Sequence, residues 1–236
     1  MPPPPPEESK HRPKPSEGHD IVTIAIPTGE RYVAHTHLLV GYSKYFHGAL
    51  RNGMEEAKTR QFDLVEHAMA DTVSFFIDWL YKQDDERSSI IKWVRSKSLS
   101  PELSIKIWLF ADYIQAPHLQ NDMISSLSSH YNSNKPNFGH RLKELTRWNP
   151  PPASGLRRLI VKEIARGLSS KNVASNTLEE WIRMLDMETL GTVVQILVKR
   201  HVNLDRENDR GGLDDASMEY FEWSSPADRY FFEKTD

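Results

Sequence analysis

The segment spanning residues 20–81 decides the fold of this chain. In order it contains DIVTIAI (20–26), PTG (27–29), RYVAHTHLL (31–39), SKYF (43–46), MEE (54–56), FDL (62–64) and FFIDWLY (75–81). Val22, Ile24 and Ile26 alternate with other residues, which predicts a strand with one apolar face. The Pro-Thr-Gly sequence then predicts a tight turn into a second strand.

Two short helices and a third strand are expected next. The helices fall near residues 36–41 and 44–52. Ser43 is suited to cap the second helix, because its hydroxyl can accept a hydrogen bond from a free backbone N–H group. Phe62 and Leu64 alternate in a way that predicts a further short strand.

An amphipathic helix follows Asp71, which is expected to cap it. The apolar residues of this helix recur at i, i+3, i+4 and i+7, and they are Val73, Phe76, Ile77 and Leu80. Residues 82–99 are mostly polar and rich in serine, which predicts an inserted loop with room for one short strand. Ser100 followed by proline predicts the start of another helix, and a further helix continues toward Tyr131.

The rest of the chain has a different character. Residues 137–202 are expected to be all helical, with Asp186 capping the last helix and a capping box at Thr177 and Glu180 before it. Residues 1–18 contain seven prolines and no aliphatic residue after the first position, which predicts a disordered leader. The expected parts are the leader at 1–18, a first domain at 19–134, the helical region at 137–202 and a tail at 203–236.

The tail combines ten acidic and four basic residues with several aromatic side chains. Acidic segments that contain aromatic residues can stay solvated until a groove of a partner accepts the rings. The alternative is that the rings fold back onto the helical region. The residues expected to bind a partner are Tyr220, Phe221, Trp223, Phe231 and Phe232.

Composition limits the kinds of function. The chain of 236 residues has a formal net charge of -3 and no cysteine. This charge gives no general attraction for nucleic acid or an anionic membrane, and the missing cysteines exclude disulfides, zinc ribbons and thiol nucleophiles. There is no signal-peptide core and no apolar run of roughly 20 residues. We expect a cytoplasmic or nuclear protein that binds neither nucleic acid nor membrane.

The motifs in residues 20–81, together with Ala111-Asp112-Tyr113 and Leu119 further on, resemble the BTB/POZ domain in their order and spacing. The resemblance covers residues 20–131, roughly half of the chain. It implies an α+β fold in which a helical cluster is flanked by a short sheet. The additional helical region is similar to that of many fungal members. The resemblance also implies a protein that assembles other proteins and is not an enzyme.

The resemblance places self-association in the first helices. Members of the family commonly form homodimers through these helices and the N-terminal strand. The corresponding residues of this chain are Leu38, Leu39, Tyr42 and Tyr45.

The resemblance also suggests a second partner, a cullin scaffold of a ubiquitin ligase. Within the family, a motif at the position of Met54-Glu55-Glu56 docks onto such a scaffold. Met54 would offer a flexible apolar contact, and Glu56 a charge that the partner can pair. The alternative is that these residues form a solvated turn.

Two functions therefore stay open. The first is a cullin-type ubiquitin-ligase substrate adaptor. The second is a homo-oligomeric scaffold or transcriptional regulator without cullin binding, which the lack of a kelch array or zinc finger favours. The chain also departs from the family after Tyr81, where a charged insertion replaces a tight turn. An enzyme is a distant alternative, because the sequence has no Gly-x-Ser-x-Gly motif and no phosphate-binding glycine loop.

Two further residue groups were considered as sites. His35 and His37 could share a face in an extended chain, but no third ligand follows at a suitable spacing, so no metal or cofactor is predicted. A basic helix contains Arg157 and Arg166. Because Glu163 interrupts it, we interpret this helix as having a solvated face and not as a nucleic-acid site.

Overall fold

The computed structural model describes residues 20–52, 54–64, 68–83, 85–133, 138–168, 183 and 185–208. These residues form ten helices and a three-stranded mixed sheet near the N-terminus, which confirms the predicted α+β class. The leader at 1–18, the capping box of Thr177 and Glu180, and residues 209–236 of the tail lie outside the described residues. None of the described helices is long and apolar enough to cross a membrane.

The sheet has the strand order β2-β1-β3. Its strands are β1 (Ile21–Ala25), β2 (Arg31–His35) and β3 (Gln61–Asp63). β1 is antiparallel to β2 and parallel to β3, so Ile24 lies between Tyr32 and Phe62. The turn between β1 and β2 contains Gly29 at φ +97°, a conformation that glycine adopts without strain. One face of the sheet is buried, and the other is at least partly open to solvent.

The next four helices are α1 (Thr36–Tyr42), α2 (Lys44–Arg51), α3 (Glu55–Thr59) and α4 (Ala70–Leu80). Ser43 caps α2 as predicted, because its Oγ accepts a hydrogen bond from the N–H of Phe46 at 3.3 Å. The same buried hydroxyl donates to the carbonyl oxygen of Ile114. One serine therefore starts α2 and also fixes it to a later part of the chain.

The prediction that Asp71 caps α4 is wrong. The helix begins at Ala70, and Thr72 caps it by accepting a hydrogen bond from the N–H of Met69 at 3.0 Å and donating one to the carbonyl oxygen of Met69 at 2.8 Å. Asp71 lies in the first turn, where a negative charge interacts favourably with the helix dipole.

The insertion at residues 82–99 contains a helix, α5 (Arg87–Ser96), where the sequence predicted a loop with room for a strand. Ile90 and Val94, one helical turn apart, are buried, and Trp93 packs beside α4. The serine-rich composition hid an amphipathic pattern that consists of only a few apolar residues on one face. A helix forms because this face is buried against the rest of the protein.

Helices α6 (Pro101–Tyr113) and α7 (Pro117–Ser133) follow. Ser100 caps α6 as predicted, since its Oγ accepts a hydrogen bond from the N–H of Leu103 at 3.2 Å. α6 packs against α4 and α7. The aromatic side chains that are buried in this part of the molecule are Phe46, Phe62, Phe75, Phe76, Trp79, Trp108, Phe110 and Tyr131.

The last three described helices are α8 (Phe138–Trp148), α9 (Gly155–Leu168) and α10 (Met187–Asn208). Asp186 caps α10 as predicted, because its Oδ1 accepts a hydrogen bond from the N–H of Thr189 at 2.8 Å. α10 continues past Val202, so its last turns lie in the segment that the sequence assigned to the tail.

The helical region and the first domain share one hydrophobic core. Buried hydrophobic side chains form a cluster that extends from Val22 in β1 to Val193 in α10. At the junction, the guanidinium group of Arg141 lies over the ring of Tyr131 at 3.6 Å, and Arg166 donates a hydrogen bond to the carbonyl oxygen of Tyr131. The predicted boundary near residue 134 therefore does not coincide with a break in the core.

Candidate protein-interaction surface

Met54 lies at the surface directly before α3. Its backbone is extended, and its side chain is 51% exposed. Glu55 and Glu56 form the first turn of α3, where carboxylates interact favourably with the free N–H groups of the helix. The Met-Glu-Glu sequence is thus the start of a helix, not only a solvated turn. It presents an apolar side chain beside two carboxylates.

Glu56 lies close enough to Tyr45 to affect its ionisation. Burial, the neighbouring Tyr113 hydroxyl and the charge of Glu56 together raise the pKa of Tyr45 to about 12. The rings of Tyr45 and Tyr113 have centroids 5.6 Å apart. Tyr45 therefore stays neutral at physiological pH and is a half-buried neighbour of Glu56. We call Tyr45, Met54 and Glu56 the α2–α3 surface.

The residues predicted for self-association differ in their accessibility. Leu38 and Leu39 are buried in the core of the single chain. Tyr42 is half-buried, and its ring contacts Trp79 edge-on with centroids 5.7 Å apart. A second copy could reach Tyr42 and Tyr45 directly, whereas contact with the two leucines would require α1 to move. Self-association through these residues stays a prediction.

The sequence analysis did not single out an apolar patch on the outer face of the sheet. Ile21, Val33 and Tyr81 are each about half exposed. Ile21 pairs with His35 across β1 and β2, and Nδ1 of His35 is 2.8 Å from the hydroxyl of Tyr81. We call Ile21, Val33 and Tyr81 the outer sheet patch. The alternation that predicted β1 also put Ile21 on this face, so the signal was present.

His35 and His37 do not form part of a recognisable metal site. Their ring centroids are 5.6 Å apart, and His35 is engaged with Tyr81. Among the residues that the structure describes, no group of three or more histidine, aspartate, glutamate or cysteine residues could hold a metal ion. His35 is half-buried beside Tyr81, which is typical of a structural histidine.

The basic helix α9 uses two of its arginines inside the protein. Arg157 is buried, and it donates hydrogen bonds to Asp186 and to Thr189 at 2.7 Å each. Arg166 pairs with the buried Glu163 at 2.6 Å. The interpretation of this helix as having a solvated basic face is therefore wrong for these two residues. Their charges hold helices together and are not arranged to meet phosphates.

Asp122 is a further buried charge that the sequence did not reveal. Its carboxylate accepts hydrogen bonds from Nε1 of Trp79 at 2.8 Å and from the guanidinium group of Arg87 at 3.0 Å. The Asp122 side chain is 1% exposed, whereas that of Arg87 is 48% exposed. The cluster fixes α5 to α4 and α7. No local pattern marks it, because Asp122 lies 43 residues after Trp79 and 35 residues after Arg87.

The tail residues expected to bind a partner, Tyr220, Phe221, Trp223, Phe231 and Phe232, lie outside the described residues. Comparison with known proteins adds no further assignment to the surfaces described above. No protein-family model matches the chain, and a search of curated proteins gave no match.

Proposed function

We propose that this chain is a protein–protein interaction module with a BTB/POZ-like first domain, which associates with itself and recruits other proteins in the cytoplasm or nucleus. The order of β1, β2, α1, α2, β3 and α4 supports the proposal, because the resemblance rests on the same order of elements. The later helices α6 and α7 contain Ala111-Asp112-Tyr113 and Leu119, on which the resemblance also rests. Fold alone does not determine function, so the argument depends on the surface residues.

The observation that carries the proposal is the exposure of Met54 beside Glu56. A half-exposed, flexible methionine can fill an irregular apolar pocket of a partner. The carboxylates at the start of α3 add a charge that can select and orient that partner. This combination favours docking of a cullin-type scaffold, with the chain acting as a substrate adaptor of a ubiquitin ligase.

A pull-down of the full chain with a cullin scaffold tests the adaptor function. We expect the wild type to retain the scaffold, and the double variant Met54→Ala with Glu56→Ala to lose about tenfold or more in affinity. Met69→Ala with Glu55→Ala is a matched control, since Met69 is 48% exposed and Glu55 is the neighbouring carboxylate. Equal retention by both double variants and the wild type would rule out docking through Met54 and Glu56.

The second candidate is a homo-oligomeric scaffold or transcriptional regulator without cullin binding. The half-buried rings of Tyr42 and Tyr45, on the adjoining helices α1 and α2, favour it because they can be covered further by a second copy. Sedimentation of the full chain over a range of concentrations tests this association. A monomer at high micromolar concentration would count against self-association, and a dimer that recovers no cullin would favour the second candidate.

In this proposal, the tail at residues 203–236 recruits a further partner. The aromatic residues assigned to this contact are Tyr220, Phe221, Trp223, Phe231 and Phe232. Affinity purification with the full chain and with a chain that ends at residue 208 gives the comparison. Proteins recovered only by the full chain are the expected result, and identical recoveries would assign recruitment to the rest of the protein.

A further inference from the structure

Helix α10 has one buried side and a separate apolar side that is open to solvent. Thr189 and Val193 are buried on the side where α10 packs against α9. In contrast, Met187 is 81% exposed, Val194 48% and Val198 55%. Exposure of aliphatic side chains to water on a helix face is unfavourable, and their burial against another molecule is favourable.

The exposed residues follow the spacing of a helix–helix contact. Met187, Gly191, Val194 and Val198 are separated by four, three and four residues, which is the repeat of helices that pack along each other. We call these four residues the α10 stripe. Among the described residues, an added Cβ at Gly191 would meet nothing within 4 Å. Because glycine weakens a helix and no contact with the described residues requires it here, Gly191 forms a notch in the stripe that a partner side chain can enter.

The charges of α10 indicate which partner fits. Glu188 lies in the first turn, and Lys199 lies further along the helix, before Asp205 and Glu207 in the sequence. Two antiparallel copies of α10 that meet at Val194 bring Glu188 of each copy near Lys199 of the other. Their helix dipoles are then also opposed, which is favourable. Parallel copies would place like charges side by side.

We propose that the α10 stripe docks on the same stripe of a second copy of this chain, with the two helices antiparallel and Val194 on the two-fold axis. The register places Met187 near His201 of the second copy, and Val198 enters the notch at Gly191. Such a contact is isologous, since each copy contributes the same surface. It goes beyond the proposed function, because it adds an interface separate from α1 and α2.

Disulfide crosslinking of the full chain tests the register directly, because the chain has no cysteine of its own. We expect Val194→Cys to form a disulfide-linked dimer under mild oxidation, since two cysteines at the axis lie within bonding reach. Val33→Cys is the matched control, because Val33 is 49% exposed and Val194 48%. A Val194→Cys disulfide that forms no faster than the Val33→Cys disulfide overturns the proposal. That is the result expected if another partner or another part of the chain covers the stripe.

Helix direction is tested by two more single-cysteine chains. A mixture of Met187→Cys and His201→Cys should give the mixed dimer, because these positions face each other in the antiparallel pair. Met187→Cys alone should give little dimer, since its two copies lie at opposite ends of the contact. A Met187→Cys dimer that forms as readily as the mixed dimer indicates parallel helices and contradicts the proposal.

Gly191→Leu distinguishes a specific packed contact from nonspecific association of exposed apolar surface. An added Cβ at this position meets none of the described atoms within 4 Å, so the substitution adds apolar surface on the open side of α10. It also fills the notch, and overfilling a packed contact weakens it, so we expect the dissociation constant measured by sedimentation to rise about tenfold or more. An unchanged or lower dissociation constant would show that the notch receives no side chain of a second copy.

The Val194→Cys crosslink is also measured in a chain that carries Tyr42→Arg, which puts a charge in the proposed contact of α1 and α2. Persistence of the crosslink supports an independent interface on α10, whether or not association through α1 and α2 occurs. Loss of the crosslink in this background overturns the proposal, because the α10 helices would then approach each other only as a consequence of the other contact.

Discussion

Aromatic rings hold together the first half of the molecule, whereas buried charges connect the helices of the second half. In the first half, Phe76 lies 5.7 Å from Phe110 and 6.3 Å from Trp79 between ring centroids. In the second half, the buried Arg157 is paired with Asp186, and the buried Glu163 is paired with Arg166. A ring stabilises through the volume it fills, but a buried charge matters mainly through the partner that it satisfies. The first half should therefore be sensitive to lost volume, and the second to a lost partner.

Removal of a central ring should have the largest effect. Phe76 is fully buried and contacts the rings of Phe46, Trp79 and Phe110. We expect Phe76→Ala to lower the free energy of unfolding by about 3–5 kcal/mol, because it removes buried apolar area and leaves a cavity. Urea denaturation followed by circular dichroism measures this change. Tyr81→Ala serves as the exposed aromatic control, and a loss as large as that of Phe76→Ala would contradict the central role of the buried rings.

The Asp122 cluster is an exception within the first half, because a buried charge there joins α4, α5 and α7 and should be sensitive to a lost partner. Asp122→Ala leaves Nε1 of Trp79 buried without its acceptor and Arg87 without its carboxylate, so we expect a loss of about 2–3 kcal/mol. Asp122→Asn retains an oxygen that can accept from Trp79, and it should cost less. The same denaturation experiment compares the two variants. Equal losses would mean that the charge facing Arg87, and not the hydrogen bond to Trp79, carries the effect.

Local patterns predicted several helix starts, because each depends on a few adjacent residues. Ser43, Ser100 and Asp186 all cap the helices that the sequence assigned to them. The failures involve non-local partners or competition between neighbours. α5 was missed because its stability depends on the burial of two side chains and on the contact with Asp122 from a distant helix. Asp71 was preferred as a cap, although the adjacent Thr72 has the better position.

The candidate interaction surface was predictable in part. The exposed start of α3 follows from Met54 and the two glutamates, which lie next to each other in sequence. The proximity of Glu56 to Tyr45 could not be predicted, because it requires the relative positions of α2 and α3. The sequence could not show that Leu38 and Leu39 are buried in the single chain and are therefore poorly placed for self-association. Apolar helix residues have the same sequence pattern in a core and in an interface.

Because of Glu163, the free energy of unfolding should depend weakly on pH. Burial raises the pKa of Glu163 above its usual value, although Arg166, Lys162 and Arg141 act in the opposite direction. The folded protein therefore binds the proton more tightly than the unfolded chain. The contribution of Glu163 is most favourable below the unfolded pKa of about 4.3 and declines as pH rises to the folded pKa. The free energy of unfolding of Glu163→Gln, relative to the wild type, should increase with pH across this window.

Glu102 provides the control, because its pKa is shifted in the opposite direction. The hydrogen bond and charge of Lys106, with the charge of Arg147, lower the pKa of this carboxyl. Its contribution is present above the unfolded pKa of about 4.3 and is lost as pH falls toward the folded pKa. Glu102→Gln should therefore become less unfavourable as pH falls in that window. Urea denaturation of both variants at several pH values checks the signs, and slopes of the same sign would contradict the assignment for Glu163.

The smallest expected effects come from two glycines with open space around them, one in each half. In the part of the chain that the structure describes, nothing lies within 4 Å of an added Cβ at Gly29 or at Gly191, so described contacts do not decide the outcome. Gly29 has φ +97°, which is strained for alanine, and Gly29→Ala should destabilise by about 1 kcal/mol. Gly191 lies inside α10, where alanine is the better helix former, so Gly191→Ala should stabilise by about 0.5–1 kcal/mol. Thermal unfolding at low protein concentration, where copies are separate, measures both changes. A destabilising Gly191→Ala would mean that the α10 stripe is already covered within the single chain.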